Sequence, residues 1–128
     1  MKPELVLLVW AVALTVVQML IAVSGATLQV GLPMLASNRD RCPAFTGWVD
    51  RAYRAHRNML ENLVLFAALV LIAVAGNKTN QTTLLGAQIF FWARVVYAAV
   101  FLAGIPWLRT GVWTVSLIGL ILIFLQLI

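Results

Sequence analysis

The chain has 128 residues, of which 63% are hydrophobic and only 10% carry a charge. Soluble domains normally contain about 25% charged residues, so this composition excludes an ordinary soluble protein and indicates an integral membrane protein. The formal net charge of +5 does not indicate nucleic-acid binding, because acidic residues are few and most basic residues collect at one predicted membrane face. A single cysteine, Cys42, excludes an internal disulfide.

The apolar residues form four long segments, and a membrane-crossing helix needs about 20 such residues. The sequence therefore predicts an all-α fold: one transmembrane domain over residues 1–128, folded as a four-helix bundle embedded in the lipid bilayer. The predicted spans are 5–32, 48–75, 82–103 and 107–128.

Span one contains no charged residue between its ends, and Ser24, Gly25 and Ala26 are small enough to let another helix approach closely. A small four-span multidrug exporter would place an essential glutamate inside this span, which disfavours that function. The polar loop that follows contains Arg39 and Arg41, and Trp48 marks an expected membrane interface.

Span two opens with the most highly charged run of the chain, Asp50 to Asn62. At about 100° per residue, one arc of roughly 120° holds three guanidiniums, an amide and a carboxylate, while Tyr53 and His56 point elsewhere. This face is costly to place in a membrane, which makes it a candidate functional site. Its members are Arg51, Arg54, Arg57, Asn58 and Glu61.

Span three holds Arg94 with Tyr97 three residues later, and span four begins with Arg109 and Thr110 in its first turn. From the helix rise, Glu61 lies roughly 20 Å and Arg94 roughly 15 Å from the same end of the bundle, which predicts an ion pair. Such a pair could simply neutralise two buried charges and fix the packing. The surplus of arginines around one carboxylate instead suits a polyanionic ligand.

Arginine is concentrated in the loop after span one, at the start of span two and at Arg109. The positive-inside rule places this end in the cytosol and both chain termini on the opposite side. His56 lacks neighbours with metal-ligand spacing, so no metal site is predicted. The five tryptophans are typical of interface anchors and lipid contacts.

Three motifs resemble the membrane-associated proteins in eicosanoid and glutathione metabolism, known as MAPEG. They are R-A-x-R-A-H-R-N-x-x-E at 51–61, R-V-V-Y at 94–97 and P-x-x-R-T at 106–110. The resemblance covers essentially the whole chain. It implies a homotrimer of four-helix bundles, with a glutathione site between neighbouring subunits near the cytosolic face.

Carried over by motif, the resemblance implies that Arg109 is the catalytic residue that stabilises the glutathione thiolate. It also implies a set of glutathione-binding residues, with glutathione as the co-substrate and a hydrophobic small molecule as the second substrate. That set is Arg51, Arg54, His56, Asn58, Glu61, Arg94, Tyr97 and Thr110. The expected activity is that of a glutathione transferase or peroxidase. The alternative is a non-catalytic member that binds lipid or glutathione.

Overall fold

The computed structural model describes residues 1–128 and consists of helices joined by short connections. Four of the helices are long and apolar enough to cross a membrane, so the chain is an integral multi-pass membrane protein. The helices are α1 (Pro3–Val30), α2 (Leu32–Ala36), α3 (Gly47–Ala75), α4 (Gln81–Ala103) and α5 (Pro106–Leu127).

The helix ends follow from local sequence. Gly31 ends α1 with a positive φ of 84°, a conformation that glycine adopts without strain, and Gly104 ends α4 in the same way at 77°. The side chain of Asn80 accepts a hydrogen bond from the backbone N–H of Thr83, whose hydroxyl accepts one from the N–H of Asn80, which starts α4. Pro106 occupies the first position of α5, where its missing N–H costs nothing.

The interior is narrow, and most large aliphatic side chains point outward, as expected where the surrounding solvent is lipid. At its centre the rings of Phe66 on α3 and Phe90 on α4 stack with centroids 4.2 Å apart. These rings belong to one cluster to which α1, α3, α4 and α5 all contribute: Ala11, Met59, Phe66, Val70, Ala87, Phe90, Leu120 and Ile123.

Small residues set the closest helix crossings. A Cβ atom added to Gly119 on α5 would lie 2.6 Å from the carbonyl oxygen of Gly86 on α4, so the two backbones are nearly in contact. Gly25 allows α1 to lie against Trp48 and Val49 of α3, where an added Cβ would lie 2.7 Å from both side chains. The close contact predicted for this part of span one is therefore present.

The two ends of the bundle differ in charge. We call the end that contains Arg39, Arg41, Arg51, Arg54, Arg57 and Arg109 the Arg-rich end. At the opposite end, the Lys2 ammonium donates to the hydroxyl of Thr79 at 3.2 Å and the Lys78 ammonium to the carbonyl of Leu127 at 3.3 Å. These contacts hold both chain termini beside the turn that joins α3 to α4.

Candidate functional site

A cavity of about 180 Å³ opens near the Arg-rich end, between α3, α4 and α5. Each of the three helices contributes at least one polar side chain to the cavity wall, which also contains the indole ring of Trp113. The lining residues are Asn58, Tyr97, Arg109, Thr110 and Trp113. Four of these five were predicted as site residues from the sequence, and we call this space the polar cavity.

Arg94 lies behind the polar cavity and fixes its Asn58 wall. Its side chain is only 1% exposed, and its Nη2 donates to Oδ1 of Asn58 at 2.7 Å. The Nδ2 of Asn62 donates to the same Oδ1 at 3.2 Å and to the carbonyl of Asn58 at 2.8 Å. The Arg94 guanidinium also lies over the ring of Tyr97, 4.1 Å from its centroid, which orients a second wall residue.

The predicted ion pair between Glu61 and Arg94 is wrong for the single chain. The structure contains one ion pair, from Arg54 Nε to Asp50 Oδ2 at 3.1 Å, and Glu61 is exposed on the outer surface of α3. Buried Met59 and Asn62 show which face of α3 packs inward. Glu61 is one residue, or about 100°, away from Asn62, and this turns its carboxylate outward.

Phe101 brings two arginines of the Arg-rich end together. The guanidinium of Arg109 lies 4.7 Å and that of Arg54 lies 5.5 Å from the centroid of this one ring. Phe101 is itself buried against Ala55 and Tyr97. Two cations therefore contact one aromatic ring beside the polar cavity; Arg54 also pairs with Asp50, whereas Arg109 pairs with no carboxylate.

The remaining predicted residues have other surroundings. Nε of Arg51 donates to the carbonyl of Leu102 at 3.0 Å, which satisfies one of the last carbonyls of α4. His56 is half-buried, and its Nδ1 is enclosed without a hydrogen-bond partner. The Thr110 hydroxyl donates to the carbonyl of Pro106 at 3.3 Å and still lines the polar cavity.

Four of these five cavity residues fall within the three motifs: Asn58 in the first, Tyr97 in the second, and Arg109 and Thr110 in the third. A model of the MAPEG family matches residues 5–128. The chain belongs to the MAPEG family. No curated protein and no solved structure shows a significant match. Membership in MAPEG, together with the four transmembrane helices, makes the chain a membrane protein of a family generally associated with glutathione.

Two residues of the candidate site were not predicted as site residues. Trp113 was interpreted as a membrane anchor, yet it lines the polar cavity because it follows Arg109 by one helical turn. Asn62 follows Asn58 by the same spacing and supports it through two hydrogen bonds. In both cases the spacing of four residues from a predicted site residue was the available signal. No group of three histidine, cysteine or acidic side chains lies close enough to hold a metal ion.

Proposed function

We propose that this MAPEG protein is a membrane-embedded glutathione-dependent transferase or peroxidase acting on a hydrophobic electrophile. The observation that supports it is the excess of guanidinium groups around the polar cavity. Arg54, Arg94 and Arg109 converge there, and Asp50 is the one carboxylate paired with any of them. Glutathione carries two carboxylates and an ionisable thiol, so cationic and amide donors of this kind fit it.

Arg109 is assigned the role of stabilising the negative charge on sulfur. Its side chain lines the polar cavity from the first turn of α5, where the helix N-terminus adds its own partial positive charge. When bound, glutathione supplies a nucleophilic thiolate, and a neighbouring guanidinium favours that ionised form. Holding Arg109 against Phe101 limits the motion of the guanidinium before the ligand arrives.

Binding is assigned to the residues of α3 and α4. Asn58 and Tyr97 face the polar cavity, and Arg94 holds both of them through the contacts described above. Arg54 lies at the rim, and its side chain is 52% exposed, so it can reach a ligand carboxylate. Arg51 and His56 keep the roles of flanking contacts implied by the family motif, and Glu61 and Thr110 remain members of the proposed glutathione-binding set.

A homotrimer is part of the proposal. The polar cavity measures about 180 Å³ in one chain, whereas small-molecule sites usually measure about 300–1,000 Å³. Glu61 and Arg57 also lie on the outer surface of α3, where a neighbouring subunit can provide polar partners. The helices of a neighbouring subunit would enlarge the polar cavity, and Glu61 would then lie in a ligand site between the two subunits. The detergent-corrected mass of the purified protein tests this, and a monomeric or dimeric mass contradicts it.

The proposed orientation places the Arg-rich end in the cytosol and both termini on the opposite side. Six arginines at one end against two lysines at the other form the bias that the positive-inside rule describes. Reporter fusions after Ile128 test this orientation. Fluorescence or enzyme activity that is restricted to the cytosol contradicts it.

The alternative is a family member that binds lipid or glutathione without chemistry. The specific observation in its favour is that the guanidiniums of Arg54 and Arg109 are already in contact with the Phe101 ring. In a non-catalytic protein these cations would serve packing and ligand retention only, and no thiolate would form.

Conjugation of glutathione to a generic aryl halide by the purified protein separates the two functions. Ultraviolet absorbance of the thiolate, measured without the electrophile, reports ionisation directly. Arg41→Ala is a suitable matched control because Arg41 is exposed in the loop before α3 and does not line the polar cavity. Turnover and thiolate formation that survive in Arg41→Ala but fall in Arg109→Ala support the enzyme. Glutathione binding without thiolate or turnover in the wild type favours the non-catalytic protein.

A further inference from the structure

The hydrogen bonds of the Asn58 side chain determine which way its amide points. Its Oδ1 lies 2.7 Å from Nη2 of Arg94 and 3.2 Å from Nδ2 of Asn62. A guanidinium donates hydrogen bonds and accepts none, so the Asn58 atom that faces Arg94 is the oxygen. The Nδ2 of Asn62 also donates to the backbone carbonyl of Asn58 at 2.8 Å. Two donors therefore occupy Oδ1, and turning the amide over would place N–H groups against both of them.

The groups that hold the Asn58 amide are themselves fixed in the bundle. Arg94 is 1% exposed and Asn62 is 8% exposed, so neither side chain is free to turn toward water. Nε and Nη1 of Arg94 are enclosed without an acceptor, and the contact of Nη2 with Asn58 Oδ1 is the one hydrogen bond of this guanidinium. A buried charge that loses its acceptor is strongly destabilising, so the protein keeps Oδ1 directed at Arg94.

This arrangement leaves Nδ2 of Asn58 for the polar cavity. The side-chain hydrogen bonds of Asn58 all end at Oδ1. Nδ2 is not among the enclosed atoms that lack a partner, so a molecule in the cavity can reach it. Arg109 adds a guanidinium that pairs with no carboxylate, and the two hydroxyl groups of the wall, on Tyr97 and Thr110, carry no charge. The wall therefore offers N–H donors and contains no anion.

We propose that Asn58 selects the charge of the group that the polar cavity binds. Its two N–H groups and the Arg109 guanidinium form a subsite for one deprotonated group that only accepts hydrogen bonds, a thiolate or a carboxylate. An ammonium group in the same place would set N–H donors and a positive charge against those of the wall, so the subsite excludes it. Asn58 thereby determines which end of glutathione enters the cavity. This identity of the ligand rests on the proposed function, whereas the preference for an anion does not.

Binding of sodium thiocyanate to the purified protein in a non-ionic detergent tests this selection. Thiocyanate is a small anion that accepts hydrogen bonds and donates none, and broadening of its carbon NMR signal reports binding without any reaction. Methylammonium is the cation of comparable size. We expect the wild type to broaden the signal of thiocyanate and to leave that of methylammonium unchanged. This comparison of two ions needs no variant.

Asn58→Asp is the informative variant. Its carboxylate keeps an oxygen for Arg94, so we expect resistance to unfolding by SDS to be retained, whereas the cavity receives an oxygen in place of Nδ2. Replacing charge-assisted donors by an acceptor should lower the thiocyanate affinity about ten- to hundredfold. Asn38→Asp is the matched control, because Asn38 is exposed in the loop before α3 and undergoes the same amide-to-acid change away from the cavity. Solvent and salt screen a charge at that position, so its thiocyanate affinity should change less than about twofold.

Competition with two peptides identifies the source of the anionic group. S-methylglutathione keeps both carboxylates of glutathione but cannot form a thiolate. Displacement of thiocyanate by both peptides assigns the subsite to a carboxylate, and displacement by glutathione alone assigns it to the sulfur; either result supports the proposal. Thiocyanate binding that neither peptide displaces contradicts the glutathione-dependent function, while it still supports the anion subsite.

Several outcomes overturn the proposal. A wild type that binds no thiocyanate has no anion subsite, whether or not glutathione binds. Binding of methylammonium as tight as that of thiocyanate shows that the cavity does not select charge. Equal thiocyanate affinities in the wild type and Asn58→Asp show that the Asn58 amide is not the selecting group. A loss of affinity in Asn38→Asp as large as that in Asn58→Asp shows that net charge, rather than the cavity wall, controls anion binding.

Discussion

Replacing Asn58 by alanine should destabilise the protein mainly through its effect on Arg94. The guanidinium of Arg94 is almost fully enclosed, and its one protein hydrogen bond is the 2.7 Å contact from Nη2 to Asn58 Oδ1. Hydrogen bonds to charged groups contribute about 1.5–3 kcal/mol, and a charged donor left buried without its acceptor adds to that loss. We therefore expect Asn58→Ala to lower the free energy of unfolding by about 2–3 kcal/mol.

For Arg94→Met we expect a free energy of unfolding that is unchanged or higher. Methionine fills much of the same space without a charge that must be removed from water, and such replacements of buried ions are often neutral or stabilising. In the Arg94→Met background, Asn58→Ala should cost only about 0.5–1.5 kcal/mol, because the one contact then lost is that of Asn62 Nδ2 with Asn58 Oδ1. The coupling energy of the double-mutant cycle should then be about 1.5 kcal/mol, well above the error of additive sites.

The free energies are measured by titrating SDS into mixed micelles and following helix content by circular dichroism. All four proteins of the cycle are compared without glutathione, so that ligand binding does not contribute. Additivity within about 0.5 kcal/mol would show that the Asn58–Arg94 contact does not stabilise the bundle. A destabilisation by Arg94→Met as large as that by Asn58→Ala would show that the guanidinium itself, rather than its missing acceptor, is what matters.

Three further predictions follow from individual contacts. Arg109→Ala should lower turnover by about tenfold or more, which equals about 1.4 kcal/mol of transition-state stabilisation, with little change in glutathione affinity. Arg54→Ala should mainly weaken glutathione binding, and steady-state kinetics with calorimetry separates the two effects. Gly119→Ala should cost about 1–3 kcal/mol in the same SDS titration because its Cβ would meet the Gly86 carbonyl, whereas Gly111→Ala, which meets nothing within 4 Å, should be neutral or stabilising. Glu61→Gln should weaken the proposed trimer if a neighbour's arginine pairs with the carboxylate, and an unchanged or more stable trimer would show that no such pair exists.

The sequence was sufficient to predict the helical membrane fold and to bring together much of the candidate site. The lengths of the apolar segments and the glycine and proline residues between them predicted four membrane helices. Backbone polar groups in lipid must form hydrogen bonds within a helix, and each helix must be long enough to cross the bilayer. The i, i+3 spacing of Arg94 and Tyr97 and the position of Arg109 after Pro106 placed these side chains at one end of the bundle. The structure brings them to one cavity or directly behind it.

The direction of Glu61 could not be obtained from a polar arc alone. An arc of roughly 120° spans both the edge of a helix that packs inward and the edge that faces out. Which edge is buried depends on where α4 approaches, and that is determined by contacts such as Phe66 with Phe90. Asn58 lies at the inward edge and meets Arg94, while Glu61 lies at the outward edge. The helix rise predicted similar depths for Glu61 and Arg94, but depth without the rotation of the helix does not identify the partner.

The contrast between the two ends of the bundle strengthens the assignment of the site. At the end away from the arginines, Lys2 donates to the hydroxyl of Thr79, and Lys78 donates to the carbonyl of Leu127 at the end of α5. Helix C-termini are negative, so Lys78 stabilises α5, and both lysines have protein acceptors. At the Arg-rich end Arg51 has a similar role on α4, but Arg109 has only an aromatic face and the open cavity before it. A cation that lies beside a cavity and contacts no protein anion is the observation on which we base the proposal that an anionic sulfur ligand binds here.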